Sequence, residues 1–276
     1  MVRGSIKIRH NLTLAPISDF ACCLSLPMPR LSPVIRCFVA TVICLALVHR
    51  AHAQADINNG IVRLGVAQDA SLIITPTVAP LNSTTGSTLL GVRLMATNND
   101  GSAAGAPVDG WGIADAISKK FGAAVRAGPT NLTAITQTST ANSATCSVVA
   151  DGILKVDQDF QPSSHPNAYK IVVLITNISA ATVDGRYRRT LDWDIEPTKF
   201  NEYVTIQGAT LKGILNFSLS GFSSQNPLIA AIGAKGDVIN SGPKDLGATI
   251  DYDLGMIPPG GTVTFNHYYG AAPDRA

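Results

Sequence analysis

RYRRTLDWDIEPT, residues 186–198, divides by parity. Arg186, Arg188, Thr190, Asp192, Asp194 and Glu196 share one side; Tyr187, Leu191, Trp193 and Ile195 fall on the other, with Arg189 as the exception. Alternation with a period of two marks a β-strand, whose successive side chains point to opposite faces of a sheet. One side of this strand is built for a core. The other carries a ladder of six polar groups, and its reading as a wet strand face, a metal site or an active site governs what can be said of function.

The same pattern extends outward through the chain. Short runs rich in Val, Ile, Thr and aromatic residues alternate with clusters of Gly, Asn, Asp, Pro and Ser. Strands are expected at 60–66, 72–76, 89–96, 131–139, 144–149, 153–160, 169–177, 187–195, 203–207, 215–220, 228–232, 248–254 and 262–268. That spacing predicts an all-β protein: an antiparallel β-sandwich, immunoglobulin-like or a larger two-sheet form, with long loops. Only 113–121 reads as a short helix, because Ala, Asp and Lys suit helices and the period drifts from two. The Gly/Ala/Asn-rich stretch 97–112 reads as a mobile or ligand-facing loop. No repeat of 20–50 residues points to a propeller or solenoid.

The first 53 residues stand apart. A 12-residue apolar run at 37–48 follows Arg30 and Arg36 and precedes Ala51-His52-Ala53. This is the order of an export signal cleaved after Ala53, and the run is short against the roughly 20 residues of a membrane span. Met28 is a plausible true start. Residues 54–276 then form the secreted β-sandwich region, as one large or two small packed domains, with membrane contact only through the export signal.

Removing the leader reverses the charge. The whole chain carries 21 basic and 19 acidic residues; the leader holds six of the former and one of the latter. The remainder has 15 against 18, a net charge of −3, so the basic balance belongs to the signal. No clustered basic face argues for nucleic acid. Four of five cysteines also lie in the leader. Cys146 alone remains, which excludes an internal disulfide or a Cys-rich zinc site.

Several chemistries fail on motif. An EF-hand with Gly101 as its sixth residue has Ala96 in the first ligand position and Pro107 where the closing glutamate belongs. A looser calcium site on Asn98, Asp100 and Asp109 is left open. Beyond the leader, His165 and His267 are the two histidines, and no G-x-S-x-G elbow or phosphate loop accompanies them. Gly110-Trp111-Gly112 begins like a dinucleotide fingerprint, but Asp115 stands at the third glycine. Asp192, Asp194 and Glu196 have a spacing that a carboxylate pair of a glycosidase permits, at about 6.6 Å between alternate strand residues. Arg186 and Arg188 nearby would hold those acids ionised. The ladder therefore reads first as a polar strand face, second as a ligand or calcium site, and third as a catalytic pair involving Asp192, Asp194, Glu196 or Glu202.

YRRTLDWDIEPTKFNEYVTIQG, preceded by a strand ending TNIS and followed by a closing strand into YYGAA, resembles a domain of exported bacterial proteins, many of which carry a PEP-CTERM sorting signal. RLGV and GWGIADA belong to the same likeness. The resemblance implies an exported cell-surface β-sandwich with no assigned activity and supplies no catalytic residues. The sequence ends at GAAPDRA without the PEP motif, apolar tail or basic end of that pattern. The functional expectation is a binding or structural module of the bacterial envelope. Its ligand is a glycan or envelope component met by Asp192, Asp194, Glu196, Arg186, Arg188 and Trp111. A glycan-active hydrolase and a calcium-stabilised adhesion domain are the competing expectations.

Overall fold

The structure is a computed structural model that describes residues 54–77, 87–105, 107–207, 211–232 and 236–272. The export signal read at residues 1–53 lies outside the described residues. The described chain is all-β, with fifteen strands and no helix. They are β1 (Ala55–Asn58), β2 (Val62–Val66), β3 (Val92–Leu94), β4 (Asp109–Asp115), β5 (Phe121–Val125), β6 (Leu132–Ser139), β7 (Ala144–Ala150) and β8 (Leu154–Pro162). Then follow β9 (Ala168–Asn177), β10 (Val183–Trp193), β11 (Glu202–Ile206), β12 (Ile214–Ser218), β13 (Val238–Lys244), β14 (Leu246–Ile257) and β15 (Thr262–Gly270).

Two five-stranded antiparallel sheets, ordered β12-β14-β10-β4-β5 and β15-β9-β8-β7-β6, pack face to face as a sandwich. In the second sheet the strands alternate cleanly. Tyr169, Ile171, Val173 and Ile175 of β9 and Leu154, Val156 and Phe160 of β8 point inward, while their neighbours meet solvent in part. Trp111 stacks on Tyr187 at 5.9 Å, and Phe265 of the opposite sheet meets Tyr187 edge-on at 5.1 Å. Aromatic side chains bury about 150–250 Å² each, so this cluster supplies a large part of the inter-sheet contact. A three-stranded sheet, β1-β2-β3, adds Ile57, Leu64 and Val92 to the same core. A two-stranded ribbon, β11-β13, packs Val204 and Ile206 of β11 with Phe217 of β12 in a second small cluster.

Three expectations are corrected. The helix expected at 113–121 is a hairpin between β4 and β5. Asp115 accepts hydrogen bonds from the backbone N–H groups of Ile117 and Ser118, and Lys119 takes a positive φ, so local side-chain bonding closes a turn instead of a helix. The strand expected at 228–232 is a turn-rich cover over the outer face of β10. Of the reading of 97–112 as a mobile or ligand-facing loop, the first half is corrected: Asn98–Asp100 and Ser102–Ala104 are buried and the stretch enters β4 at Asp109, while Asp100 and Gly101 border a cleft.

Candidate metal centre and adjoining cleft

The ladder of residues 186–196 runs along β10 and just past its end, and β10 is the central strand of its sheet, between β14 and β4. Parity separated the two faces correctly, but neither face is open water. Arg188, Thr190, Asp192, Asp194 and Glu196 are all buried, which corrects the reading as a wet strand face; only Arg186 is partly exposed.

The basic members of the ladder are structural. Arg188 forms a two-point pair with Asp251 and donates to the carbonyls of Ser224, Asn226 and Ile229 at 2.6, 3.1 and 2.8 Å. It staples the 219–232 segment over the sheet. Gln225 adds a bond from Nε2 to Thr190 Oγ1 at 3.2 Å. The same segment explains Gly110-Trp111-Gly112. A Cβ on Gly112 would collide with the Gln225 carbonyl oxygen, and one on Gly110 would strike Ala124 O and Gln225 Cγ at 2.6 and 2.8 Å. The alternate glycines leave room for the cover while Trp111 points into the core. Arg186 pairs with Asp184 and Asp253 at the far end of the strand, so it takes no part in a site near Asp192.

Trp111 is fully buried and donates its indole N–H to the Asp69 carbonyl at 2.7 Å. It is a packing residue and offers no ring to a sugar. Arg189, the parity exception, lies on the core face. Its guanidinium donates to Asp109 Oδ1 at 2.7 Å and to the Tyr269 hydroxyl at 2.6 Å, and that hydroxyl donates to Asp109 Oδ2 at 3.1 Å. Burial pushes the Asp109 carboxyl upward and Arg189 opposes it; Asp109 holds Arg189 protonated. A buried charge is tolerated when paired and hydrogen-bonded in this way.

The looser calcium site on Asn98, Asp100 and Asp109 is likewise corrected, because its carboxylates are spent separately. Asp100 accepts from the backbone N–H groups of Gly91, Ser102 and Ala103, and Arg93 Nε lies 3.3 Å from it. Asn98 carbonyl and amide oxygens accept from Arg93. Asp109 is held by Arg189, Tyr269 and the Leu72 N–H.

The acids at the end of β10 behave differently. Asp192 and Asp194 meet Asp245, which sits between β13 and β14, and one carboxylate oxygen from each lies within 4.8 Å of the others. The first two are buried and Asp245 is exposed. Glu202, the first residue of β11, completes the surroundings. Its Oε1 accepts the Ile195 N–H at 3.3 Å, while its buried Oε2 has no hydrogen-bond partner. Asp192 Oδ1 is buried and unpartnered as well. Desolvation first, then the negative charges of Asp194, Asp245 and Glu202, push the Asp192 carboxyl up to about 7. Burial also raises Glu202. Over Asp194, Gly105 takes φ +64°, and any Cβ there would run into the carboxylate, so the backbone closes tightly on this group. Asp245 and Glu202 carry no local sequence signal that links them to Asp192; only the strand order brings them together.

Beside these acids a cleft of about 330 Å³ opens between the sandwich and β11. Trp193, Ile195 and Glu196 line it from the end of β10, and Tyr203, Val204 and Thr205 from β11. Asp192, Asp194, Asp245 and Glu202 are not among its lining residues.

Comparison with known protein families finds no family model that matches, and no curated protein matches the chain.

Proposed function

We propose that this protein is an exported β-sandwich module of the bacterial envelope whose architecture is secured by a divalent cation, with calcium as the best fit. The observation that carries the reading is the convergence of Asp192, Asp194 and Asp245 within 4.8 Å, with Glu202 beside them. The contrast with the other buried acids supports it. Asp100, Asp109 and Asp251 each have their own arginine, whereas the charges acting on Asp192 are all negative. Like charges in a desolvated place are costly, and a cation among them relieves the cost. Hard oxygen ligands of this kind suit calcium, which takes six to eight oxygens in flexible geometry.

Placement gives the cation a mechanical role. It joins the end of β10 to the β13–β14 junction and to the start of β11, clamping the β11-β13 ribbon onto the sandwich. The export signal in the first 53 residues and the likeness to exported cell-surface domains favour the envelope as the setting. The glycosidase alternative draws on the raised Asp192 carboxyl beside Asp194. It is weakened because neither acid lines the cleft that would admit a substrate.

The test is a thermal melt of the purified protein with calcium and then with chelator. Saturation at about 100 times the dissociation constant adds roughly 2.7 kcal/mol, a rise of about 5–10 °C for a domain of this size. Asp192→Asn and Asp245→Asn should remove the rise. A melt that does not respond to calcium, magnesium or manganese would sink the proposal.

A further inference from the structure

An open sheet ends in strands whose outward backbone groups have no neighbour, and most such edges in this fold are protected. β1, β3, β5 and β12 are three to five residues long. β6, β11 and β13 are interrupted by shifts of register, and β13 also carries Pro243 and Lys244. Short length, bulges, proline and charge are devices that keep an edge from pairing with another chain. β15 has none of them. It is nine residues long, and its register with β9 runs unbroken from Thr262 opposite Thr176 to Gly270 opposite Ala168. Its sequence, TVTFNHYYG, contains no proline, lysine, arginine, aspartate or glutamate. Among the described residues its backbone hydrogen bonds are to β9 alone.

We infer that this edge is where two copies of the chain associate, β15 pairing antiparallel with β15 of the second copy about a two-fold axis. The unpaired backbone groups call for an extended strand, and the side chains suit the strand's own copy. With the axis at Asn266, the midpoint, all nine residues pair. On the solvent face Asn266 meets Asn266 of the second copy, where two amides exchange hydrogen bonds, and Thr264 meets Tyr268. On the core face Phe265 meets His267 and Val263 meets Tyr269. Aromatic pairs and aromatic–β-branched pairs are favourable across antiparallel strands, and no like charges oppose one another here. The core face also has apolar surface left to cover: Val263 and Phe265 of β15, with Tyr252 and Leu254 of β14, are only partly buried within one copy. Pairing consumes the edge in both copies. The far edge of the same sheet, β6, is irregular between Thr133 and Thr136, so assembly closes at two copies and does not run on as a fibre.

Asn266 provides the test, because its side chain is exposed and lies on the axis. Sedimentation equilibrium of the purified protein should show a reversible monomer–dimer equilibrium. It should do so in calcium and in chelator alike, since β15 holds none of the clustered acids, so failure of the cation reading leaves this result separate. Asn266→Lys sets two like charges face to face and should weaken the dimer about tenfold or more. Mixing it with Asn266→Asp should restore association between the two variants, which a misfolded chain would not do. Asn266→Cys should cross-link on mild oxidation, because facing Cα atoms about 4.5–5.5 Å apart permit a disulfide; the unaltered protein, with Cys146 buried, should not. Protein that stays monomeric up to about 0.1 mM would overturn the inference. So would a dimer that Asn266→Lys leaves unchanged, or growth beyond two copies.

Discussion

Arg188 on β10 and Asp251 on β14 lie directly across from one another and form a two-point ion pair, Nε to Oδ1 at 2.5 Å and Nη2 to Oδ2 at 2.9 Å. The guanidinium holds the cover segment by three further bonds to carbonyls. Its loss leaves a buried carboxylate and three carbonyls without their donor. Arg188→Ala is expected to cost about 3–5 kcal/mol, read by denaturant unfolding. Protease cleavage within 219–232 should become faster in the same variant. Intact protection of that segment would show that the staple is not what holds it.

Gly112→Ala tests the same cover from the opposite side. The added methyl meets the Gln225 carbonyl oxygen and must push the segment away. A loss of about 1–3 kcal/mol is expected, the usual cost of overpacking. The Trp111 emission should stay that of a buried indole, since the change is on the outer face. A spectrum shifted to the red would mean that the core itself had opened.

Asp192 makes the metal-free protein sensitive to rising pH. Its carboxyl titrates near 3.8 when unfolded and is pushed up to about 7 when folded. Between those values the folded state binds the extra proton, so stability falls as pH rises through the window and the penalty is complete above about 7. In chelator, Asp192→Asn should therefore melt higher than the native protein at pH 8, with the advantage fading toward pH 4. An advantage that is constant across that range would remove Asp192 as its source.

His267 acts in the opposite direction. It stands on β15 between Phe265 and Tyr269, with both ring nitrogens buried and without hydrogen-bond partners. Burial, reinforced by Arg189, depresses its pKa well below 6.5. The unfolded chain takes up a proton below 6.5 where the folded one does not, so stability is present above that pH and lost as pH falls. His267→Phe should flatten the acid side of the stability profile between pH 6.5 and 5 by equilibrium unfolding. An unchanged acid slope would place the sensitivity elsewhere.

Much of the fold was readable from local pattern. The strand expected at 169–177 is β9, and 262–268 falls within β15, because both alternate and both end at turn residues. The strands that were missed show the limit. β4 and β5 contain Gly-Trp-Gly and Phe-Gly-Ala-Ala-Val, and their glycines read as loop until the covering segment that requires them is seen. For the candidate site, Asp192 and Asp194 were visible as acids on one face of a strand. Asp245 was not, and Glu202, though weighed as a catalytic acid, had no spacing that placed it beside them; Trp193, read as a core residue by parity, packs against both hydrophobic clusters and also lines the cleft.

By itself, then, the sequence determined that the described chain is β throughout, that residues 186–196 have two chemically distinct faces, and that its motifs lack the spacing of an EF-hand or a nucleotide loop. Those are consequences of spacing between near neighbours, which the backbone geometry of a strand converts directly into direction. Tertiary structure alone decided what covers each face and which charges meet each other. Arg189 finds Asp109 and Tyr269 each 80 residues away, and Arg188 finds Asp251 at 63. The strand order supplies these partners: β10 sits at the centre of its sheet, so both its edges are paired, the opposite sheet and the 219–232 segment cover its faces, and its acids converge with residues that the sequence keeps far apart.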